Sequence, residues 1–135
     1  MNHLDHAILV AQSAHEGQSD KIGRPYFEYC RRVASAVTDD VGKAVAYLHD
    51  VVEKRKGWTL DRLLEEGFPP DIVGAVDAMT RRRDEEWETF VRRAASNPVA
   101  NPVKRADLEE NLSQVQTVGE DGEKYLNALR IVAEL

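Results

Sequence analysis

Apolar residues recur at intervals of three and four along the chain, and no segment shows the alternation that a half-buried strand requires. Leu4, Ala7, Ile8, Ala11 and Ala14 predict a first helix over residues 3–15. GQSDKIGRP, residues 17–25, has two glycines, a proline and no periodicity, and reads as a loop. A second helix is expected from Tyr26 to about Val37, with Phe27, Val33 and Val37 toward the core. Thr38-Asp39-Asp40 can cap a third, which carries Val41, Ala44, Val45, Leu48 and Val52. Gly57 and Trp58 end that region, Thr59 caps the short LDRLLEE helix, and Gly67 stops it. Pro69-Pro70 precede the helical DIVGAVDAMTRR, and Asp84 opens DEEWETFVRRAAS, with Trp87, Phe90 and Val91 facing inward. NPVANPVKRADLEENLSQV should be helical from about Pro102, and a last helix over roughly 121–134 shows Tyr125, Leu126, Leu129 and Val132. The pattern predicts an all-α domain, a compact bundle of about eight helices joined by short loops.

Composition narrows the class. A chain of 135 residues is expected to form one domain, 1–135, and to bury roughly two-thirds of its unfolded surface. Apolar residues at 42% and charged residues at 31% describe a soluble globular chain rather than a disordered one. A net charge of -6 argues against general nucleic-acid binding. Cys30 is the one cysteine, so no internal disulfide can form and a reducing, cytoplasmic location is the expectation. No apolar run approaches the roughly 20 residues of a membrane span, and the N-terminal MNHLDHAILVAQSAHEG lacks the basic segment of a signal peptide. The apolar last helix could serve as a packing surface between subunits of a homo-oligomer as well as within one chain.

The chemistry lies in polar residues set among core residues. AYLHDVVEK, residues 46–54, places His49 and Asp50 in an otherwise apolar run, and such groups are expensive to bury without a partner. Helical spacing puts Glu53 four residues from His49 and three from Asp50. A second polar face lies in VKRADLEEN, where Lys104, Asp107 and Asn111 are three and four apart. One imidazole nitrogen and two carboxylate oxygens suit a divalent transition metal. The other reading is a network closed by side chains, in which Tyr29 or Lys104 satisfies the carboxylates. Arg81, Arg82 and Arg83, with Lys21, Arg24 and Lys104, could line an anion site, because guanidinium groups suit phosphate.

In their order, AHEGQSDKIGRPY at 14–26, AYLHDVVE at 46–53, DAMTRR at 77–82 and VKRADLEEN at 103–111 resemble the HD superfamily of metal-dependent phosphohydrolases. Within it the resemblance is closest to the guanosine polyphosphate (ppGpp) 3′-pyrophosphohydrolase domain of RelA/SpoT-type proteins and their small stand-alone relatives. It covers roughly residues 4–112. It implies an all-helical HD domain holding one ion, usually Mn²⁺, and a small-molecule nucleotide or phosphoester as substrate. By the same resemblance His49 and Asp50 match the metal-binding doublet and Asp107 the distant aspartate. Glu53 matches a glutamate that works beside the reacting water. Asn111 matches an asparagine near the nucleotide sugar, and Lys21 falls in the loop that touches base and phosphate; Arg24 and Lys104 join them as substrate-binding positions. Three positions depart from the family. Tyr29 stands in the slot of the first metal histidine, Lys54 replaces an acid after Glu53, and Asp20-Lys21 replaces Arg-Lys. The alternative expectation is therefore a catalytically inactive HD domain that binds a nucleotide or a protein. His15, His3 and His6 are the histidines that could stand in for the lost ligand.

Overall fold

Asn2 accepts a hydrogen bond from the Asp5 amide and starts α1 (His3–Ala14), whose buried face is Ala7, Val10, Ala11 and Ala14. These small side chains let α1 lie close against α3 (Asp40–Leu48), whose Ala44, Val45, Ala46 and Leu48 are wholly buried. The computed structural model describes residues 1–135 and contains nine helices and no strand. α2 is Tyr26–Ser35, α4 Val51–Lys54, α5 Leu60–Glu65, α6 Pro70–Ala78, α7 Trp87–Ser96, α8 Ala100–Thr117 and α9 Glu123–Glu134. α3 is the central helix: α1, α2, α6 and α8 all pack on it. A fully buried residue such as Leu48 contributes roughly 1.5–3 kcal/mol through removal from water. A smaller apolar cluster, Val91, Ala95, Leu108, Ala128 and Val132, ties α7, α8 and α9 together.

The expected third helix is two helices. His49 N still donates to Val45 O at 2.8 Å, but Asp50 turns to φ -102°, ψ -1°, and helical bonding resumes with Lys54 N to Asp50 O at 2.9 Å. The chain thus bends at the His-Asp doublet, which accounts for nine elements rather than eight. Asp84, expected to open α7, instead has φ 65° in the turn before it, and the helix begins at Trp87. α8 starts at Ala100, because the Asn97 carboxamide oxygen accepts from the Val99 and Ala100 amides. Pro102 then falls in the first turn, where its missing N–H leaves no bond unmade. Of the apolar residues the third helix carries, Val41 is 38% exposed. No helix is long and apolar enough to cross a membrane.

Candidate metal centre

The bend after α3 turns two consecutive side chains toward α8. His49 is 2% exposed, and its Nδ1 donates to Ala46 O at 2.7 Å. A carbonyl can only accept, so the Nδ1 proton is fixed and Nε2 faces the site. Nε2 lies 3.0 Å from Asp50 Oδ2 and 3.3 Å from Asp107 Oδ1, yet it makes no hydrogen bond to either. His49, Asp50 and Asp107 each bring one donor atom within 4.8 Å of the others.

This donor set fits a divalent ion. Adjacent ligands around an ion with bonds of about 2.1 Å stand about 3 Å apart, and the Nε2–oxygen separations are 3.0 and 3.3 Å. His49 Nε2 is buried, makes no hydrogen bond and lies close to two carboxylate oxygens, a donor set that a bound ion would complete. Burial disfavours the charged forms of all three groups, but their mutual attraction outweighs it. The pKa of His49 is raised well above its ordinary value, and those of Asp50 and Asp107 are lowered.

The same carboxylates are gripped from α2. Tyr26 Oη donates to Asp50 Oδ2, and Tyr29 Oη donates to Asp107 Oδ1 at 2.5 Å. Burial, reinforced by the nearby carboxylates, pushes both phenols far above their usual pKa, so they remain neutral donors. Tyr29, where the resemblance expects a metal-binding histidine, therefore touches Asp107. Asn111 Nδ2 donates to Tyr29 Oη at 2.7 Å, and Lys21 Nζ donates to Asn111 Oδ1 at 2.6 Å. Lys104 is 2% exposed. Its ammonium lies 3.6 Å from Asp107 Oδ2 and 4.1 Å from the centre of the Phe90 ring, and so it offsets the carboxylate from the far side.

A cavity of about 200 Å³ opens over this centre, bordered by His49, Asp50 and Asp107 and by Glu53, Lys21, Lys104, Asn111 and Tyr29. Glu53 Oε1 accepts from the Arg81 amide at 2.9 Å. Burial, and then the Asp50 charge, raise its pKa. The loop that brings Arg81 there is held by Arg93, which donates to Asp77 O, Thr80 O and the Glu85 carboxylate.

Not every expected residue reaches the cavity. Arg24 is surface-exposed and pairs with Asp20 at 3.7 Å, outside the cavity wall. Arg82 pairs with Asp77 at 3.3 Å, and only Arg81 of the arginine run borders the cavity. His3 and His6 lie against Phe68. His15 is buried against the Tyr26 ring, with Nδ1 on Gln18 Oε1 at 2.8 Å, and does not join the converging donors. Tyr26, Trp87 and Tyr125, which also border the cavity, were missed. Tyr26 lies three residues before Tyr29 on the same face of α2, a spacing that could have revealed it. The Lys124 ammonium is 4.0 Å from the Trp87 ring centre. Burial, together with Arg81, Lys21 and Lys104, lowers its pKa.

No protein-family model matches the chain, and no curated protein matches it in sequence. Among solved structures it is similar to that of a metazoan ortholog of SpoT, a protein that hydrolyzes ppGpp and plays a role in starvation responses. The TM-score is 0.80 at 22% identity, over 99% of this chain and 85% of that one. At that identity the likeness shows the fold, an all-α helical bundle as expected from the sequence.

Proposed function

We propose that the protein is a metal-dependent phosphohydrolase acting on a nucleotide phosphoester or pyrophosphate, with a guanosine polyphosphate as the first substrate to try. The observation that carries this reading is the unbonded His49 Nε2 between Asp50 and Asp107, beneath a mouth lined with cations. Lys21, Lys54, Arg81 and Lys104 border that cavity in a chain of net charge -6. Such a concentration of positive charge favours a polyanion.

His49, Asp50 and Asp107 would hold a divalent ion such as Mn²⁺. When bound, the ion supplies positive charge to a phosphoryl oxygen and makes a nearby water more acidic. Lys104 and Arg81 neutralise phosphate charge, and Lys21 with Asn111 orients the adjoining part of the substrate. Glu53, with its raised pKa and its fixed bond to the Arg81 amide, receives the water's proton and returns it to the leaving oxygen. Tyr29 holds the Asp107 carboxylate in place through a neutral hydrogen bond.

A second reading rests on that same tyrosine. Tyr26, Tyr29, Lys104 and a protonated His49 together could satisfy both carboxylates without an ion, giving a binding module that does no chemistry. Release of pyrophosphate or phosphate from ppGpp and related nucleotides, with and without Mn²⁺, separates the two. The hydrolase reading expects metal-dependent release that Asp107→Asn abolishes. Binding of nucleotide without release in any metal would favour the module.

A further inference from the structure

Arg93 lies on α7, outside the cavity wall, yet every N–H of its guanidinium is engaged by the turn between α6 and α7. Nε and Nη2 donate to the two carboxylate oxygens of Glu85 at 2.9 and 2.8 Å. Nη1 donates to Asp77 O at 3.0 Å and to Ala78 O at 3.3 Å, and Nη2 donates to Thr80 O at 2.8 Å. A guanidinium carries five donors in one rigid plane, and these bonds use all of them. An ammonium in the same place would have three donors and no fixed plane.

The grip passes through Glu85 to Arg81. Glu85 Oε1 also accepts from the Arg82 amide at 3.0 Å, and Glu85 O accepts from Arg81 Nε at 2.9 Å. Arg93 holds the Glu85 pKa down to about 2, so the pair stays charged across the physiological range. The turn needs such a hold, because Asp84 within it has φ 65°, the only positive φ of a residue other than glycine. At the other end of the turn, Arg81 N donates to Glu53 Oε1 at 2.9 Å, the one hydrogen bond made to that carboxylate.

The bonds form one chain from α7 to the cavity wall: the Arg93 guanidinium, the Glu85 carboxylate, the turn, the Arg81 amide and the Glu53 carboxylate. We infer that Arg93 is a positioning residue for Glu53, setting through Glu85 the direction of the Arg81 N–H and with it the orientation of the carboxylate. The inference rests on the reading of Glu53 as the group that handles the water's proton, and it adds to that reading a residue that does not border the cavity.

The Arg81 N–H favours the ionised form of Glu53, whereas burial and Asp50 oppose it. Loosening the turn should therefore make the carboxyl titrate at higher pH. Carboxyl ¹³C NMR titration of the full chain, without substrate, reads this, with the Glu53 signal assigned by its absence from Glu53→Gln. Arg93→Lys keeps the charge but not the fork. It should raise the Glu53 midpoint by about one pH unit, as expected for loss of a hydrogen bond to a charged group. Asp50, His49 and Lys54, the other charged groups acting on Glu53, are unaltered in that variant. Glu85→Ala should move the midpoint in the same direction, and it supplies the test should Arg93→Lys not fold. The acid limb of any measured hydrolysis should move with it. A Glu53 midpoint that stays in place while only the melting temperature falls would overturn the inference, and Arg93 would then serve the fold alone. A shifted midpoint in a protein that hydrolyses nothing would sink the hydrolase reading and leave the positioning of Glu53 standing.

Discussion

Tyr29 Oη donates to Asp107 Oδ1 at 2.5 Å, and that same oxygen stands 3.3 Å from His49 Nε2. One carboxylate atom is therefore shared between a phenol on α2 and an imidazole at the end of α3. Removing the phenol should be felt in both stability and metal affinity. Tyr29→Phe leaves Asp107 one donor short and deprives Asn111 of an acceptor, which should lower unfolding free energy by about 1–2 kcal/mol. Urea denaturation measures it. Tyr29→His replaces the phenol with an imidazole and should tighten Mn²⁺ binding on the order of tenfold or more. Unchanged affinity in that variant would mean that the carboxylates cannot turn toward an added ligand.

Glu53 gives a prediction with opposite signs for activity and stability. Its folded pKa is raised above the ordinary 4.5 by burial and by Asp50. A carboxyl group with a raised folded pKa favours the fold while protonated. That contribution is present below the ordinary value and is lost as pH rises through the folded pKa. Glu53→Gln should therefore be more stable than wild type at pH 7 and similar to it near pH 4, although hydrolysis is lost. Thermal melts at the two pH values, beside a hydrolysis assay, check both halves. Activity of the wild type should rise with pH across the same window, because only the ionised form accepts a proton.

Two helical glycines make contrasting predictions. A Cβ on Gly42 would lie 2.5 Å from Val37 Cγ1 and 2.7 Å from Asp39 Oδ1, the atom that caps α3. Gly42→Ala should destabilise by about 1–3 kcal/mol in spite of alanine's helix propensity. Gly74 in α6 has nothing within 4 Å of its would-be Cβ, so Gly74→Ala should stabilise by up to about 1 kcal/mol. Paired denaturant curves give both signs directly.

Much of this architecture could be read from periodicity. The inward faces of α1 and of α3 beyond Val41, and the loop before α2, are where apolar spacing and glycine place them, whereas on α9 Leu126 is exposed and the buried residues are Ala128 and Val132. The break at His49-Asp50 was not legible, because Ala46, Leu48, Val51 and Val52 continue a helical pattern straight through it. Its consequence is that the spacing of His49, Asp50 and Glu53 along one helix does not describe how they meet. α8 concealed more of the site. It turns Lys104, Asp107 and Gln114 toward the interior, so its buried face looks polar in sequence. The motifs alone pointed to Lys104, Asp107 and Asn111. Arg24 was drawn into the site by its place in the loop, whereas its side chain turns outward to Asp20. Tyr125 borders the cavity from the far end of the chain, and local pattern carries no signal for such a contact.

In the proposed mechanism His49, Asp50 and Asp107 hold an ion with no ligand from α2. Calorimetric titration of Mn²⁺ into wild type, His49→Ala and Asp107→Asn decides whether they do. One ion per wild-type chain, with binding lost in both variants, is the predicted result. No binding to wild type at millimolar Mn²⁺ would contradict it, and the three residues would then form a metal-free polar network closed by Tyr26, Tyr29 and Lys104.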